Sequence, residues 1–66
     1  MKNTIKIQRA IKDLTQEDLA NLIGVSRQTV NSIENNRYIP STLLALKISK
    51  VFEKNVNDIF ELEESD

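Results

Sequence analysis

Sixty-six residues leave room for one domain, residues 1–66, which at this size can bury only about 60 % of its unfolded surface and so depends on regular packing or a partner. The absence of Cys and His excludes disulfides and the usual zinc, iron and copper sites and removes the side chains most used for catalysis at neutral pH; no enzyme, metal or cofactor is expected, and with no apolar run near 18 residues and no leader-like segment the expected location is the cytoplasm, without membrane contact. The net charge of −1 conceals an asymmetry, with eight basic and four acidic side chains over residues 1–50 but one basic and six acidic over residues 51–66, so the front of the chain suits a phosphate backbone while the acidic end, 61–66, is expected to point away from one.

One Gly and one Pro favour a helical chain. Ile7, Ala10, Ile11 and Leu14 recur at i, i+3, i+4 and i+7 and predict a first helix over about 4–12 with that stripe facing the core; Ile5 lies off it. Thr15 opens a second helix as N-cap, Asp18 closes a capping box, and Leu14 with Leu19 form a hydrophobic staple. Leu19, Leu22 and Ile23 line one face, and Gly24 supplies a left-handed stop after a helix over about 16–23. Ser26 repeats the signal, with Val25 and Val30 as its staple, so a third helix over about 27–35 follows almost at once. Two short helices about a turn containing Gly make a helix-turn-helix over about 16–35. Residues 35–40 form a loop, since Asn tolerates positive φ and the residue before Pro avoids helix. Ser41 caps a fourth helix that runs to about Phe52 with a Leu44, Ile48, Val51 stripe flanked by Ala45 and Phe52. Lys54 or Asn55 caps a short fifth helix around 56–60, and residues 61–63 form either a frayed end or a short strand.

The third helix offers only Val30 and Ile33 to a core, and Arg27, Gln28, Asn31, Ser32 and Asn35 cover the rest. A solvated surface is the ordinary reason for a polar face, yet such surfaces favour Glu and Lys, which are better helix formers than Asn, Ser or Thr. The side chains here carry forked hydrogen-bond groups instead: Arg bridges guanine O6 and N7, and Gln or Asn bridges adenine N6 and N7. They start the second helix of a helix-turn-helix, where base edges are met. The expected partner is therefore double-stranded DNA.

The run TQEDLANLIGVSRQTVNSIENNRYIPS resembles the Cro/C1-type helix-turn-helix of phage repressors and xenobiotic-response-element-type regulators, and the resemblance extends over about residues 4–60. Agreement falls at Thr15-Gln16, Leu19-Ala20, Gly24-Val25-Ser26, Val30, Ile33-Glu34 and Pro40-Ser41, and ALKIS followed by DIF resembles a compact subgroup made of the domain alone. The resemblance implies an all-α, five-helix domain of lambda-repressor-like fold. It assigns base contacts to Arg27, Gln28 and Ser32, with Thr29 and Asn31 as neighbours at base edges, a thymine methyl or the backbone. It gives Gln16 a phosphate and the task of steadying Gln28, the alternative being an ordinary exposed first-turn amide, and it has Ser26 cap its helix while the helix N-terminus faces phosphate. Arg37 and Tyr38 hold the backbone of the same half-site, the alternative for these two being a solvated Arg and a partly packed Tyr. The family's counterpart of Arg9 and Glu34 is a partly buried, structural ion pair. Glycine is common in the family where this chain has Asp13, Asn36 and Glu53; Asp and Asn accept left-handed backbone, whereas Glu53 leaves the link from the fourth to the fifth helix least well specified.

One helix in one groove makes few base contacts, and dimers read two half-sites about 34 Å apart. A twofold homodimer is expected, joined through the fifth helix and the loop before the fourth by Ile39, Val56, Ile59 and Leu62, with a wholly intramolecular place for Ile59 as the alternative. The expected mechanism is steric repression at a pseudo-palindromic operator; activation, antitoxin action or restriction-modification control would use the same chemistry, and a protein-interaction module is the separate alternative. With no effector domain, no small-molecule ligand is expected.

Overall fold

A computed structural model describes all 66 residues as β1 (Lys2–Asn3), α1 (Ile5–Lys12), α2 (Gln16–Ile23), α3 (Arg27–Glu34), α4 (Thr42–Phe52), α5 (Val56–Ile59) and β2 (Phe60–Glu61). Three helices start where a hydroxyl meets the first free amides. Thr15 Oγ1 accepts from the Asp18 amide at 3.0 Å while Asp18 Oδ2 accepts from the Thr15 amide at 2.9 Å, closing the capping box. Ser26 Oγ accepts from the Thr29 amide at 3.1 Å, and Ser41 Oγ accepts from the Leu44 amide at 3.2 Å. Asn55, one of the two caps open for α5, occupies the N-cap position without a side-chain bond.

The stops are equally local. Gly24 has φ 74°, and Asp13, Asn36 and Glu53 have φ of 55°, 60° and 54°. After each of these three the chain folds back on the helix it has left: the Leu14 amide donates to Arg9 O at 2.9 Å, the Arg37 amide to Ser32 O at 2.9 Å and the Lys54 amide to Ser49 O at 3.2 Å. These bonds, with left-handed backbone one residue earlier, are Schellman caps. Glu53 thus makes the turn its side chain suits least, which defines the link between α4 and α5.

The chain ends pair as an antiparallel ribbon, Lys2 opposite Glu61 and Asn3 opposite Phe60. β1 has no counterpart in the sequence reading, and the strand at the other end covers Phe60–Glu61 rather than 61–63. The Thr4 amide donates to Ile59 O at 2.8 Å and Thr4 Oγ1 to Asp58 O at 3.1 Å, so β1 and the start of α1 are fastened to α5.

Ten apolar residues form the core: Ile5, Leu19, Ala20, Ile23, Val30, Ile33, Ile48, Phe52, Ile59 and Phe60. Here the expected α1 stripe is corrected. Ile5 is 1 % exposed, whereas Ile7 and Ile11 are 60 % and 69 % exposed. The Thr4 bonds turn Ile5 inward, and its i+3 and i+4 neighbours on that face are Gln8 and Arg9, both half-buried. An inward face whose other members are polar leaves no apolar periodicity to read. On α2, Ala20 rather than Leu22 joins Leu19 and Ile23; packing against both α3 and α4 covers two adjacent rows and leaves Leu22 on the open side. Ile59 is also corrected as an interface residue. At 1 % exposure it belongs to the core, because the single turn of α5 is held to β1 by the Thr4 bonds and draws Ile59 inward beside Phe60. The α4 stripe lies as expected, with Ile48 buried and Leu44 and Val51 packed against the core.

Candidate nucleic-acid interface

α2 and α3 pack directly on each other across the turn at Gly24. The glycine is favoured by its φ alone, since a Cβ there would meet nothing within 4 Å. Val25 packs against the core beside it, and Val30 and Ile33, 1 % and 2 % exposed, seat α3. With those two positions inward, the opposite face of α3 points to solvent: Arg27 and Gln28 are exposed, and Thr29, Asn31 and Ser32 are half-buried.

All nine residues singled out from the sequence gather on this face. Gln16, Arg27, Gln28, Asn31, Ser32 and Arg37 line one concavity that has no hydrophobic residue in its wall. Ser26, Gln28, Thr29, Ser32, Arg37 and Tyr38 surround the adjoining one, together with Val25 and Leu44. The two share Gln28, Ser32 and Arg37, so they form a continuous polar surface from the first turn of α2 to the loop after α3.

Hydrogen bonds divide these side chains into held and free. Thr29 Oγ1 lies 3.0 Å from Ser26 Oγ, the pair closing the start of α3. Asn35 Nδ2 donates to Asn31 Oδ1 at 3.1 Å, which occupies the Asn31 carbonyl and leaves its amide hydrogens for a ligand. Glu34 Oε1 accepts from Gln16 Nε2 at 3.3 Å. No hydrogen bond joins Gln16 to Gln28, so the steadying partner of Gln16 is Glu34. The side chains of Arg27, Gln28 and Arg37 make no intramolecular hydrogen bond, and neither arginine has a carboxylate within 4.0 Å. Two unpaired guanidinium groups and one free carboxamide are thus presented together.

The scaffold beneath is fixed by charge. Arg9 Nε donates to Glu34 Oε2 at 2.7 Å and Nη2 to Oε1 at 3.1 Å, while Nη1 donates to Leu14 O at 3.0 Å. Their side chains are 14 % and 7 % exposed, and removal of either would leave a partly buried charge unpaired. This bidentate pair ties α1 to the end of α3, so its place is structural. At the head of α2, hydrogen bonds from the Thr15 backbone and then its side chain hold the Asp18 carboxyl below the ordinary value of 3.8.

Two features lie outside the expectations drawn from the sequence. Asn3 Nδ2 reaches Ile33 O at 3.1 Å, Glu34 O at 3.4 Å and Asn36 Oδ1 at 3.1 Å; no local signal marks a partner some 30 residues away. On another side of the molecule, Met1, Ile39, Pro40, Thr42, Ala45, Leu46, Val56 and Phe60 line an apolar groove of about 340 Å³. Ile39 and Val56 of the expected interface lie in it, whereas Leu62, 78 % exposed, lies outside it. Leu46, apolar but off the α4 core stripe, was the available signal. No group of three or more acidic side chains is placed to hold a metal, and no helix is long and apolar enough to cross a membrane.

A family model described as helix-turn-helix matches residues 5–59. An uncharacterised helix-turn-helix-type transcriptional regulator of Methanocaldococcus jannaschii is 52 % identical over 66 residues, all of both chains. Among solved structures, the restriction-modification controller protein of Aeromonas hydrophila superposes with a TM-score of 0.77 at 28 % identity over 85 % of each chain. The SOS-response transcriptional repressor LexA of Eubacterium rectale gives 0.79 at 27 % identity over 94 % of this chain and 66 % of that one.

Proposed function

The chain belongs to the Cro/C1-type helix-turn-helix family, and from that premise we propose that it is a sequence-specific transcriptional repressor that binds a pseudo-palindromic DNA operator as a homodimer. The observation that carries this reading is the convergence of Arg27, Gln28 and Arg37, all without intramolecular side-chain partners, on one polar surface at the start and far edge of α3. α3 enters the major groove with Arg27, Gln28, Asn31 and Ser32 at base edges. Ser26 and the amides it leads into face one phosphate, Gln16 a second, and Arg37 with Tyr38 the backbone of the same half-site. The apolar groove around Ile39, Leu46 and Val56 receives a second copy, and two recognition helices then meet successive major-groove faces about 34 Å apart. Occupancy of the operator excludes polymerase, with no catalytic step, cofactor or small-molecule effector, and on this reading the protein acts in the cytoplasm.

The controller of restriction-modification among the structural neighbours favours one variant of this role, in which the regulated genes are those of a restriction system; the DNA chemistry is unchanged. Two substitutions test the division of labour. Gln28→Ala should weaken operator binding by about 1 to 3 kcal/mol and relax preference at one base pair. Arg37→Ala should lower affinity for all duplexes alike and reduce the salt slope by about 1. Identical behaviour of the two variants in anisotropy titrations would refute the assignment of base and backbone contacts.

A further inference from the structure

We propose that Asn3 is a positioning residue for DNA reading, one that sets the angle of the recognition helix from the opposite end of the chain; the inference rests on the DNA-reading role of α3 argued above. The last carbonyls of a helix have no amide four residues on. At the end of α3, Glu34 O accepts from the Asn3 carboxamide, Ile33 O accepts from it as well as from the Asn36 amide at 3.1 Å, and the carboxamide also donates to Asn36 Oδ1 at the left-handed residue of the cap. Asn3 is itself held. Its Oδ1 accepts from the Ile5 amide at 3.2 Å, and its backbone is paired with Phe60 in the ribbon. The carboxamide therefore spans a fixed point of the ribbon and the C-terminal end of α3.

The side chains assigned to base edges run along α3 from Arg27 to Ser32. An eight-residue helix is about 12 Å long, so a tilt of about 10° about its seated N-terminal end displaces the far end by about 2 Å and Ser32 by about 1 Å, more than hydrogen bonds to base edges tolerate. The N-terminal end of α3 is seated by the turn at Gly24 and by Ser26, Val30 and Ile33 are buried in the core, and Glu34 is tied to α1 through Arg9 and to α2 through Gln16. Asn3 adds the restraint from the ribbon, and it does so without touching DNA.

The test compares Asn3→Ser and Asn3→Ala with the unaltered full chain. Serine keeps a short acceptor for the Ile5 amide but is too short to reach α3; alanine removes both functions. The readout is the ratio of affinities for a duplex selected from a random pool and for its scrambled counterpart. Loss of folded protein reduces both affinities equally, so this ratio does not respond to mere destabilisation. The expected result is a fall of about tenfold in both variants, with affinity for scrambled DNA retained per folded molecule. A ratio unchanged in both, or lowered only in Asn3→Ala, would overturn the proposal, the latter assigning Asn3 to its local turn alone. An unaltered chain whose own ratio is near one would defeat the DNA-reading role itself, which separates that failure from failure of the Asn3 inference.

Discussion

Asp18 acts through two hydrogen bonds, and their effect has a definite sign. Bonds from the Thr15 backbone and hydroxyl lower its pKa below 3.8 in the folded chain, so the folded state binds that proton less readily than the unfolded state. The stabilisation is fully present above the ordinary carboxylate range and is lost as pH falls through 3.8 and below. Asp18→Asn should therefore lower the thermal midpoint at pH 7 while flattening its decline below about pH 4; parallel melts across pH 2 to 7 check this, and an unchanged slope would remove Asp18 from the balance. The caps at Thr15, Ser26 and Ser41 were legible because each needs only a side chain and an amide three residues on. The Arg9–Glu34 pair was legible only through the family resemblance, and Asn3 at the end of α3 not at all, since their partners lie 25 and about 30 residues away. In the candidate site the side-chain chemistry of Arg27, Gln28 and Asn31 was legible, but the bond from Gln16 to Glu34 required the packing of α2 on α3.

The stops at the level of elements carry a removable cost. Left-handed backbone disfavours a residue with a Cβ by roughly 1 to 2 kcal/mol, less for Asp and Asn, and Glu53 occupies such a position at φ 54°. Its contact with Lys12 Nζ at 3.3 Å has side chains 38 % and 80 % exposed, and a surface pair of this kind contributes little. Glu53→Gly should therefore stabilise the domain by about 0.5 to 1 kcal/mol after allowance for the freer unfolded chain, a gain of several degrees in the melting midpoint of a domain this size. Asn36→Gly should gain less. A loss of stability in Glu53→Gly would show that the Lys12 contact or the turn has another role. Helices α2 to α4 were readable from caps and periodicity, while the ribbon was not: two-residue strands have no alternation to detect, and their pairing is set by β1 and β2 meeting from opposite ends of the chain.

In the whole molecule, the charge asymmetry is arranged in space as well as in sequence. Asp66 lines a small cavity with Asn3, Asn36 and Tyr38, and the Met1 ammonium lies 3.0 Å from both Glu63 Oε1 and Asp66 Oδ2. The acidic end thus sits by the C-terminal end of α3, a helix length from Arg27 but beside Tyr38, so it is not held clear of the whole expected DNA face. The apolar groove is the other feature of this scale. Ile39 and Leu46, 69 % and 56 % exposed, contribute little to the monomer core, so Leu46→Asp should leave the helical content intact while converting the proposed dimer to monomer. Operator affinity should then fall by roughly a hundredfold or more, the contribution of a second linked half-site. Sedimentation of the variant checks this, and a dimer unaffected by Leu46→Asp would place the interface elsewhere.

Whether the surface of α3 reads DNA sequence as half of a dimer is decided by selecting duplexes from a random pool with the purified chain and titrating the enriched sequence against a scrambled one at two salt concentrations. The expected result is a symmetric motif with half-sites about one helical turn apart, bound at least roughly a thousandfold more tightly than scrambled DNA, with a preference that persists as salt weakens both. A pool without an enriched motif, bound weakly and only at low salt, would contradict it.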